Sequence, residues 1–221
     1  GRGIYLHAGP EIAVVSTKTF TCTAVAFALL AIHLGRIRDL STAAGGRLLS
    51  ALAALPEQIA AVLAREAEIA RVAEQLVARE HAYFVGRAAG HAVAMEGALK
   101  LKEVSYLHAE AYSAAELKHG PLALISPQTP TVVLIPRDDL YGKNVSTIEE
   151  IRARHGPVLA VTHAGEQLLP VEDTIEVPAS EPELDSILLN IPLQLLAYHV
   201  ALKRGCDIDR PRNLAKSVTV E

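Results

Sequence analysis

Short apolar runs alternate with segments of helical period over the second half of the chain. Strands are predicted at 82–86, 131–136, 157–162 and 174–178. Apolar positions recur at helical spacing at 90–109, in part of 113–125, at 143–155 and at 182–204. Continuous apolar strands that alternate with helices are typical of a parallel sheet covered on both faces. We therefore predict an α/β fold, in which a parallel sheet is flanked by helices.

The first 80 residues have a different pattern. The segment "IYLHAG" at 4–9 reads as a strand, and Ser16 is a good N-cap for a helix that runs to about Gly35. Its run "AVAFALLAI" at 24–32 is short for a membrane span and predicts a buried core helix. Residues 47–80 predict two or more helices, with Pro56 in the first turn of a new one. We expect Pro192 to kink the last helix or to lie near a bend.

Composition narrows the class of protein. The chain has 221 residues, 50% hydrophobic residues and a net charge of −4, with no basic stripe for nucleic acid. Cys22 and Cys206 have no spacing typical of a disulfide framework or a zinc site, which fits a reducing, cytoplasmic setting. We expect neither a membrane partner nor a signal peptide. The chain begins as if cut from a longer one.

A charged stripe interrupts the apolar pattern of the helix at 90–109. Glu96, Lys100 and Glu103 follow one another at spacings of four and three, so on a helix they lie within about 60° of one another. Apolar residues flank them, including Leu99 and Val104, which favours the wall of a cleft. An exposed ladder of ion pairs has the same spacing, and the spacing alone does not separate the two readings.

Three further features each allow a chemical and a structural reading. His119 precedes Gly-Pro and can exchange a proton near neutral pH, or it can be a surface histidine. Lys216 can deliver an amine to a carbonyl, or it can belong to a solvated tail. The turn "GRAAG" at 86–90 can hold a phosphate on helix N–H groups, or it can be a packing turn.

Three segments carry a family resemblance: "AGPEIAVVSTKTF", "MEGALKLKEVSYLHAEAYSAAELKHGPLALI" and "PLQLLAYHVALKRGCDIDRPRNLAKSVTVE". They resemble the isomerase part of the glutamine:fructose-6-phosphate aminotransferases, the glucosamine-6-phosphate synthases. That part consists of two sugar isomerase (SIS) domains, each a flavodoxin-like three-layer sandwich. The resemblance implies the end of a first SIS domain at 1–40, connecting helices at 41–80, a second SIS domain at 81–205, and an extended C-terminal tail at 206–221 that closes the active site.

The resemblance also implies a reaction and residue roles. The family converts fructose 6-phosphate and glutamine to glucosamine 6-phosphate and glutamate, without a metal or a bound coenzyme. Glu103 matches the carboxylate that moves a proton between C1 and C2, with Lys100 and Glu96 on the same stripe. Lys216 matches the lysine that forms an imine with the open-chain sugar, and His119 the histidine associated with ring opening. Residues that match the lining of the sugar site are Val14, Ser16 and Ala215.

The implied partners are sugar phosphates, a second copy of the chain that supplies His119 across subunits, and a glutaminase domain in the full-length protein. The family holds its phosphate on a Ser/Thr-rich loop that does not occur in these 221 residues. We therefore expect the chain alone to be weakly active or inactive. Two alternatives stay open: a non-catalytic sugar-phosphate sensor, which needs neither Glu103 nor Lys216, and an amino-sugar deglycase or deaminase.

Overall fold

The computed structural model describes residues 3–165 and 170–216 and contains one five-stranded sheet in that part of the chain. All neighbouring strands are parallel, in the order β2-β1-β3-β4-β5. This is the order of flavodoxin-like doubly wound sheets. The predicted fold class is therefore confirmed. The strands are β1 His81–Gly86, β2 His108–Ser113, β3 Thr131–Ile135, β4 Val158–His163 and β5 Asp173–Val177.

Helices cover both faces of this sheet. The α-helices are α1 Lys18–Ile37, α2 Thr42–Leu63, α3 Glu66–Val77, α4 Ala89–Ser105, α5 Tyr141–Arg152 and α6 Asp185–Lys203. Short 3₁₀ turns lie at Leu117–His119, Pro121–Leu124 and Pro182–Leu184. Helices α3, α4 and α6 pack on one face, while α5 and the first two 3₁₀ turns pack on the other. The protein therefore has two hydrophobic cores, one on each side of the sheet.

Strand β1 shows how one segment supplies both cores. Side chains alternate between the two faces of a strand. Phe84 enters the core beneath α4 and α6, whereas Tyr83 and Val85 enter the core beneath α5. All three are at least 95% buried, which is why this strand reads as a continuous apolar run.

Gly97 lets α4 approach both α6 and the sheet. A Cβ atom at this position would lie 2.6 Å from Leu193 Cδ1 and 3.0 Å from Phe84 Cε1. Gly86 is confined in a similar way, because its Cβ would lie 2.4 Å from the carbonyl oxygen of Gly90. The turn at 86–90 therefore has the close backbone contact expected of a packing turn.

The prediction of helix across 106–109 was wrong. Helix α4 ends at Ser105, Tyr106 adopts a left-handed conformation with φ 60°, and β2 begins at His108. The segment 108–113 alternates small apolar residues, Ala109 and Ala111, with larger polar ones, which is a period of two. That alternation was the available signal. The segment 117–124 forms two 3₁₀ turns, so its predicted helical character is confirmed only as short turns.

The amino-terminal predictions were wrong at two points. Residues 4–9 form no strand, because no described segment pairs with them, and the side chain of Tyr5 is 82% exposed. Helix α1 is not a buried core helix, since Phe27 is 66% exposed. By length and composition alone, α1, α2 and the segment Pro182–Lys203 could each cross a membrane, and most of the last is buried in the protein. The absence of a membrane partner stays a prediction.

Two helix boundaries also differ from the prediction. Pro56 lies inside α2 and does not begin a new helix, since α2 is continuous from Thr42, after the cap of Ser41, to Leu63. Pro192, which we expected to kink the last helix or to lie near a bend, lies inside α6 and is buried. Helix α1 ends at Ile37, two residues beyond the predicted Gly35.

Ser16 is not the N-cap of α1. Thr17 occupies that position. The carboxylate of Glu11 accepts hydrogen bonds from the N–H groups of Thr17, at 2.8 Å, and of Thr19, at 3.4 Å. Burial alone would raise the pKa of Glu11. These hydrogen bonds, together with those from the Thr19 hydroxyl and Lys216, lower it by a larger amount, so the net shift is from 4.5 to about 2. A remote carboxylate thus takes the capping role that a local side chain usually has.

We expect Gly97→Ala to destabilise the protein by about 1–3 kcal/mol, because the added methyl group overpacks the contact between α4, α6 and β1. Gly46→Ala in α2 is the matched control, since a Cβ atom added at Gly46 would have no atom within 4 Å apart from its chain neighbours and the nearby backbone of α2. That change should be neutral or stabilising by about 0.5–1 kcal/mol. Urea unfolding measures both, and equal effects would contradict the close approach at Gly97.

We expect Glu11→Gln to lower the free energy of unfolding at neutral pH by up to about 3 kcal/mol. The pKa of Glu11 is lowered on folding, so its stabilisation is present above about pH 4.5 and is lost as the pH falls towards 2. The difference between wild type and variant in urea unfolding should therefore shrink between pH 7 and pH 3. Glu57→Gln, at an exposed site on α2, is the control. A difference that does not change with pH would refute this role.

Candidate active site

Helix α4 places Glu96, Lys100 and Glu103 side by side. The ammonium of Lys100 lies 2.6 Å from Glu103 Oε2 and 3.6 Å from Glu96 Oε1. The side chain of Lys100 is only 6% exposed, that of Glu96 10% and that of Glu103 23%. The stripe is therefore a largely buried triad and not an exposed ladder. Glu103 is the member most open to solvent.

The charges of the triad depend on one another. Burial raises the pKa of Glu96, the ammonium of Lys100 opposes that rise, and the charge of Glu103 adds to it. A buried ammonium without a partner costs several kcal/mol, so Lys100 needs at least one ionised carboxylate beside it. The close contact with Glu103 supplies that charge.

A cleft of about 210 Å³ opens beside Lys100. Its walls come from four separate parts of the chain: the loop before α1, helix α4, helix α6 and the tail after α6. The residues that line it are Ala13, Val15, Thr17, Lys100, Val104, Gln194, Ala197, Tyr198, Ile208 and Asp209. The lining is mainly apolar with a few polar groups, which is the usual character of a small-molecule site.

The loop before α1 and the tail are joined directly. The N–H of Val14 donates to the carbonyl oxygen of Asp209 at 3.0 Å. Further along the tail, the ammonium of Lys216 donates to the carbonyl oxygen of Ala13 at 2.6 Å and to Glu11 Oε2 at 3.3 Å. The tail lysine therefore lies beside a residue that lines the cleft.

The tail is fixed to the end of α4 between its two contacts with the loop, at Asp209 and at Lys216. The N–H of Arg212 donates to the hydroxyl of Tyr106 at 2.8 Å, and its guanidinium lies 4.1 Å from the centre of the Tyr106 ring. This combines a hydrogen bond with a cation–π contact. The left-handed backbone at Tyr106 thus ends α4 at the point where its side chain meets the tail.

The other predicted sugar-lining residues lie along the same loop and tail. Val14 and Ser16 are partly exposed neighbours of Val15, which faces the cleft. Ala215 is exposed and adjacent to Lys216. The structure therefore brings seven of the eight predicted site residues to one region.

His119 is the exception. It is exposed and lies beyond the carboxyl end of β2, in a 3₁₀ turn. Glu103 lies near the end of α4, just before β2 begins. The six residues of β2 span about 20 Å, and the two residues are attached to opposite ends of this strand in one chain.

Sequence reasoning missed four residues of this region: Glu11, Gln194, Tyr106 and Arg212. Glu11 precedes its helix by several residues, and the amide of Gln194 reaches the start of α1 through Thr17 O, at 3.4 Å. Only the acid before the helix gave a usable signal, because carboxylates favour helix N-termini. The contact of Tyr106 with Arg212 joins residues 106 positions apart, which no local pattern indicates.

The side chains that could ligate a metal are dispersed. Within residues 3–165 and 170–216, no group of three or more His, Cys, Asp or Glu side chains is arranged to hold a metal ion. The polar side chains that line the cleft are those of Thr17, Lys100, Gln194, Tyr198 and Asp209.

Comparison with known proteins shows which family of proteins this chain resembles. The chain is 47% identical over 221 residues to the glutamine–fructose-6-phosphate aminotransferase (isomerizing) of Chlorobaculum tepidum, and the alignment covers 99% of the chain and 36% of that protein. The corresponding protein of Thermus thermophilus is 48% identical, with 99% and 37% covered. The chain thus spans little more than a third of the length of these curated relatives.

Solved structures agree. The C-terminal domain of glucosamine-fructose-6-phosphate aminotransferase from Francisella tularensis superposes with a TM-score of 0.88 at 36% identity, covering 91% of this chain and 58% of that one. Glucosamine-6-phosphate deaminase from Thermotoga maritima gives 0.70 at 26% identity, covering 96% and 59%. A family model for the SIS domain matches residues 75–204. Since that match includes more than half of the residues, this chain belongs to the SIS domain family.

Proposed function

We propose that the chain is the sugar-isomerising part of an enzyme that converts fructose 6-phosphate and glutamine to glucosamine 6-phosphate and glutamate. The observation that carries this proposal is the buried triad, with Glu103 at its more open end, beside a cleft whose lining residue Ala13 accepts a hydrogen bond from Lys216. The names of the relatives from Chlorobaculum tepidum and Thermus thermophilus support the same reaction.

Glu103 is the proton carrier in this proposal. Isomerisation between a ketose and an aldose moves one proton between C1 and C2, so a single base must accept and return it. Glu103 is more accessible than Glu96 and lies against the ammonium of Lys100 at 2.6 Å, which holds the carboxylate in one orientation. Glu96 supplies the second negative charge beside Lys100.

Lys216 supplies the amine that reacts with the open-chain sugar. Its nitrogen forms a bond to the carbonyl carbon, the carbonyl oxygen leaves as water, and an imine results. The imine draws electrons away from the neighbouring carbon, which makes its proton easier for Glu103 to remove. The tail therefore prepares the substrate on which the helix acts.

A second copy of the chain supplies His119 for ring opening. Within one chain, Glu103 precedes β2 and His119 follows it, which supports a role for His119 across subunits. The proposal includes a homodimer, a glutaminase domain elsewhere in the full-length protein, sugar phosphates as ligands and a cytoplasmic setting. No metal or coenzyme takes part in it.

Deamination of glucosamine 6-phosphate is a second candidate. The likeness to the Thermotoga maritima deaminase, which extends over 96% of the chain, favours it. The two candidates differ in product, because a deaminase releases ammonia from glucosamine 6-phosphate and an isomerase part does not. An ammonia assay on this chain should give no release, and release that depends on Glu103 would favour the deaminase.

We expect the chain, at high concentrations of fructose 6-phosphate in D₂O, to introduce deuterium slowly at C1 of the sugar. Glu103→Gln should slow this exchange by about 10²–10⁴-fold, because the variant keeps the shape of the side chain but cannot accept a proton. Mass spectrometry of the recovered sugar measures the exchange. Glu110→Gln, on β2, is a carboxylate control outside the cleft and should exchange at the wild-type rate.

A folded Glu103→Gln variant that exchanges as fast as wild type would refute the proposal. If the wild-type chain alone gives no exchange, as the missing phosphate-binding loop allows, the same comparison is made in the full-length protein, where an unchanged rate in Glu103→Gln refutes the proposal. A Lys100→Met variant separates positioning from folding. It should unfold more easily than wild type, because two carboxylates lose their shared cation, and any folded fraction should exchange slowly.

A further inference from the structure

Glu11 joins the start of α1 to the tail through one carboxylate. Oε1 accepts from the N–H of Thr17 at 2.8 Å and from that of Thr19 at 3.4 Å. Oε2 accepts from the hydroxyl of Thr19 at 2.8 Å and from the ammonium of Lys216 at 3.3 Å. Oε1 therefore accepts hydrogen bonds from the start of α1, whereas Oε2 accepts them both from Thr19 and from Lys216.

We propose that Glu11 is a positioning residue that holds Lys216 as an ammonium ion at the cleft before a sugar arrives. The role assigned to Lys216 rests on the proposed function, but the hold itself does not. The carbonyl oxygen of Ala13, at 2.6 Å, is the second acceptor of the same ammonium, and Ala13 lines the cleft. The amine is thus kept within reach of the site.

The chemistry of the pair requires the ion pair between Glu11 and Lys216 to be lost during turnover. Imine formation requires a neutral amine, so Lys216 has to lose a proton. The pKa of Glu11 is about 2, which makes its carboxylate a poor base at neutral pH. Glu11 therefore cannot take up that proton, and the proton must pass to water or to another base. The ion pair with Glu11 is therefore lost before Lys216 attacks the sugar.

The burial of the two partners fits a reversible contact. The side chain of Glu11 is 9% exposed, whereas that of Lys216 is 48% exposed. Glu11 is fixed by three hydrogen bonds to α1, so it stays in place when the lysine moves. An ion pair with one exposed partner contributes little stability and breaks easily.

Trace acetylation of the lysines with acetic anhydride, followed by peptide mass spectrometry, tests the hold without any sugar. Lys18 is an internal reference, because its ammonium donates to the carbonyl oxygen of Pro10 in the same loop. In Glu11→Gln, the ratio of labelling at Lys216 to labelling at Lys18 should rise by about threefold, which is the effect of losing an exposed ion pair. Thr19→Val, which removes a different hydrogen bond to Glu11, should leave the ratio unchanged.

An unchanged ratio in folded Glu11→Gln, or an equal rise in Thr19→Val, would overturn the proposal. Circular dichroism establishes folding of each variant. If Glu11→Gln does not fold, Glu11→Asp makes the same comparison. Its side chain is shorter by one carbon–carbon bond, about 1.5 Å, so the carboxylate is withdrawn from Lys216 and the ratio should again rise.

Trapping of the imine with cyanoborohydride and fructose 6-phosphate tests the proposed role of Lys216 in the reaction separately from its contact with Glu11. A wild-type chain in which Lys216 forms no trapped imine would refute its proposed role in the reaction. The labelling ratio would still decide whether Glu11 holds the lysine. If imine forms in wild type, Glu11→Gln should form less of it at subsaturating sugar, because the amine is no longer held at the cleft.

Discussion

The burial of one ammonium ion, that of Lys100, constrains the arrangement of the whole site. An ammonium in an apolar environment is costly unless carboxylates surround it, and α4 supplies two of them at the helical spacings of three and four residues. That burial requires α4 to be covered by the loop before α1, by α6 and by the tail, all of which line the adjoining cleft. The packing that makes the burial of these charges unfavourable also fixes the positions of the three side chains.

The close packing of α4 depends in turn on a missing side chain. Gly97 lies between the stripe residues Glu96 and Lys100, and its lack of a Cβ lets Leu193 and Phe84 approach the helix. The face of α4 that touches the sheet and α6 is therefore set next to the face that carries the charges. A helix that is displaced from the sheet would also displace Lys100, and with it the paired Glu103, relative to the cleft, so fold stability and site geometry are coupled at this helix.

Sequence patterns predicted the parts of this structure that depend on neighbours in the chain. The strands at 82–86 and 131–136 and the stripe on α4 follow from local periodicity, and all three are present. The strand at 108–113 was missed because alanine is compatible with both helix and strand, so its short alternation was overridden by the preceding helical pattern. The cap of α1 was assigned to Ser16 because a capping rule considers adjacent residues, whereas Glu11 reaches the helix through a folded loop. Contacts such as Glu11 with Lys216 join residues 205 positions apart and depend on the tertiary fold alone.

The two side chains that carry the proposed chemistry, Glu103 and Lys216, are held by parts of the structure that differ in stability. Glu103 is held by a helix packed between a sheet and another helix, whose local opening requires disruption of the main core. Lys216 is held by a half-exposed ion pair, one carbonyl oxygen and a tail attached through Tyr106, contacts that break at small cost. Proton transfer between adjacent carbons needs a base at a fixed distance, whereas imine formation needs an amine that approaches, reacts and leaves. In the proposed reaction, the core therefore holds the base that stays in place and the surface holds the amine that moves, and Glu11 is the proposed group that returns this amine to the same position.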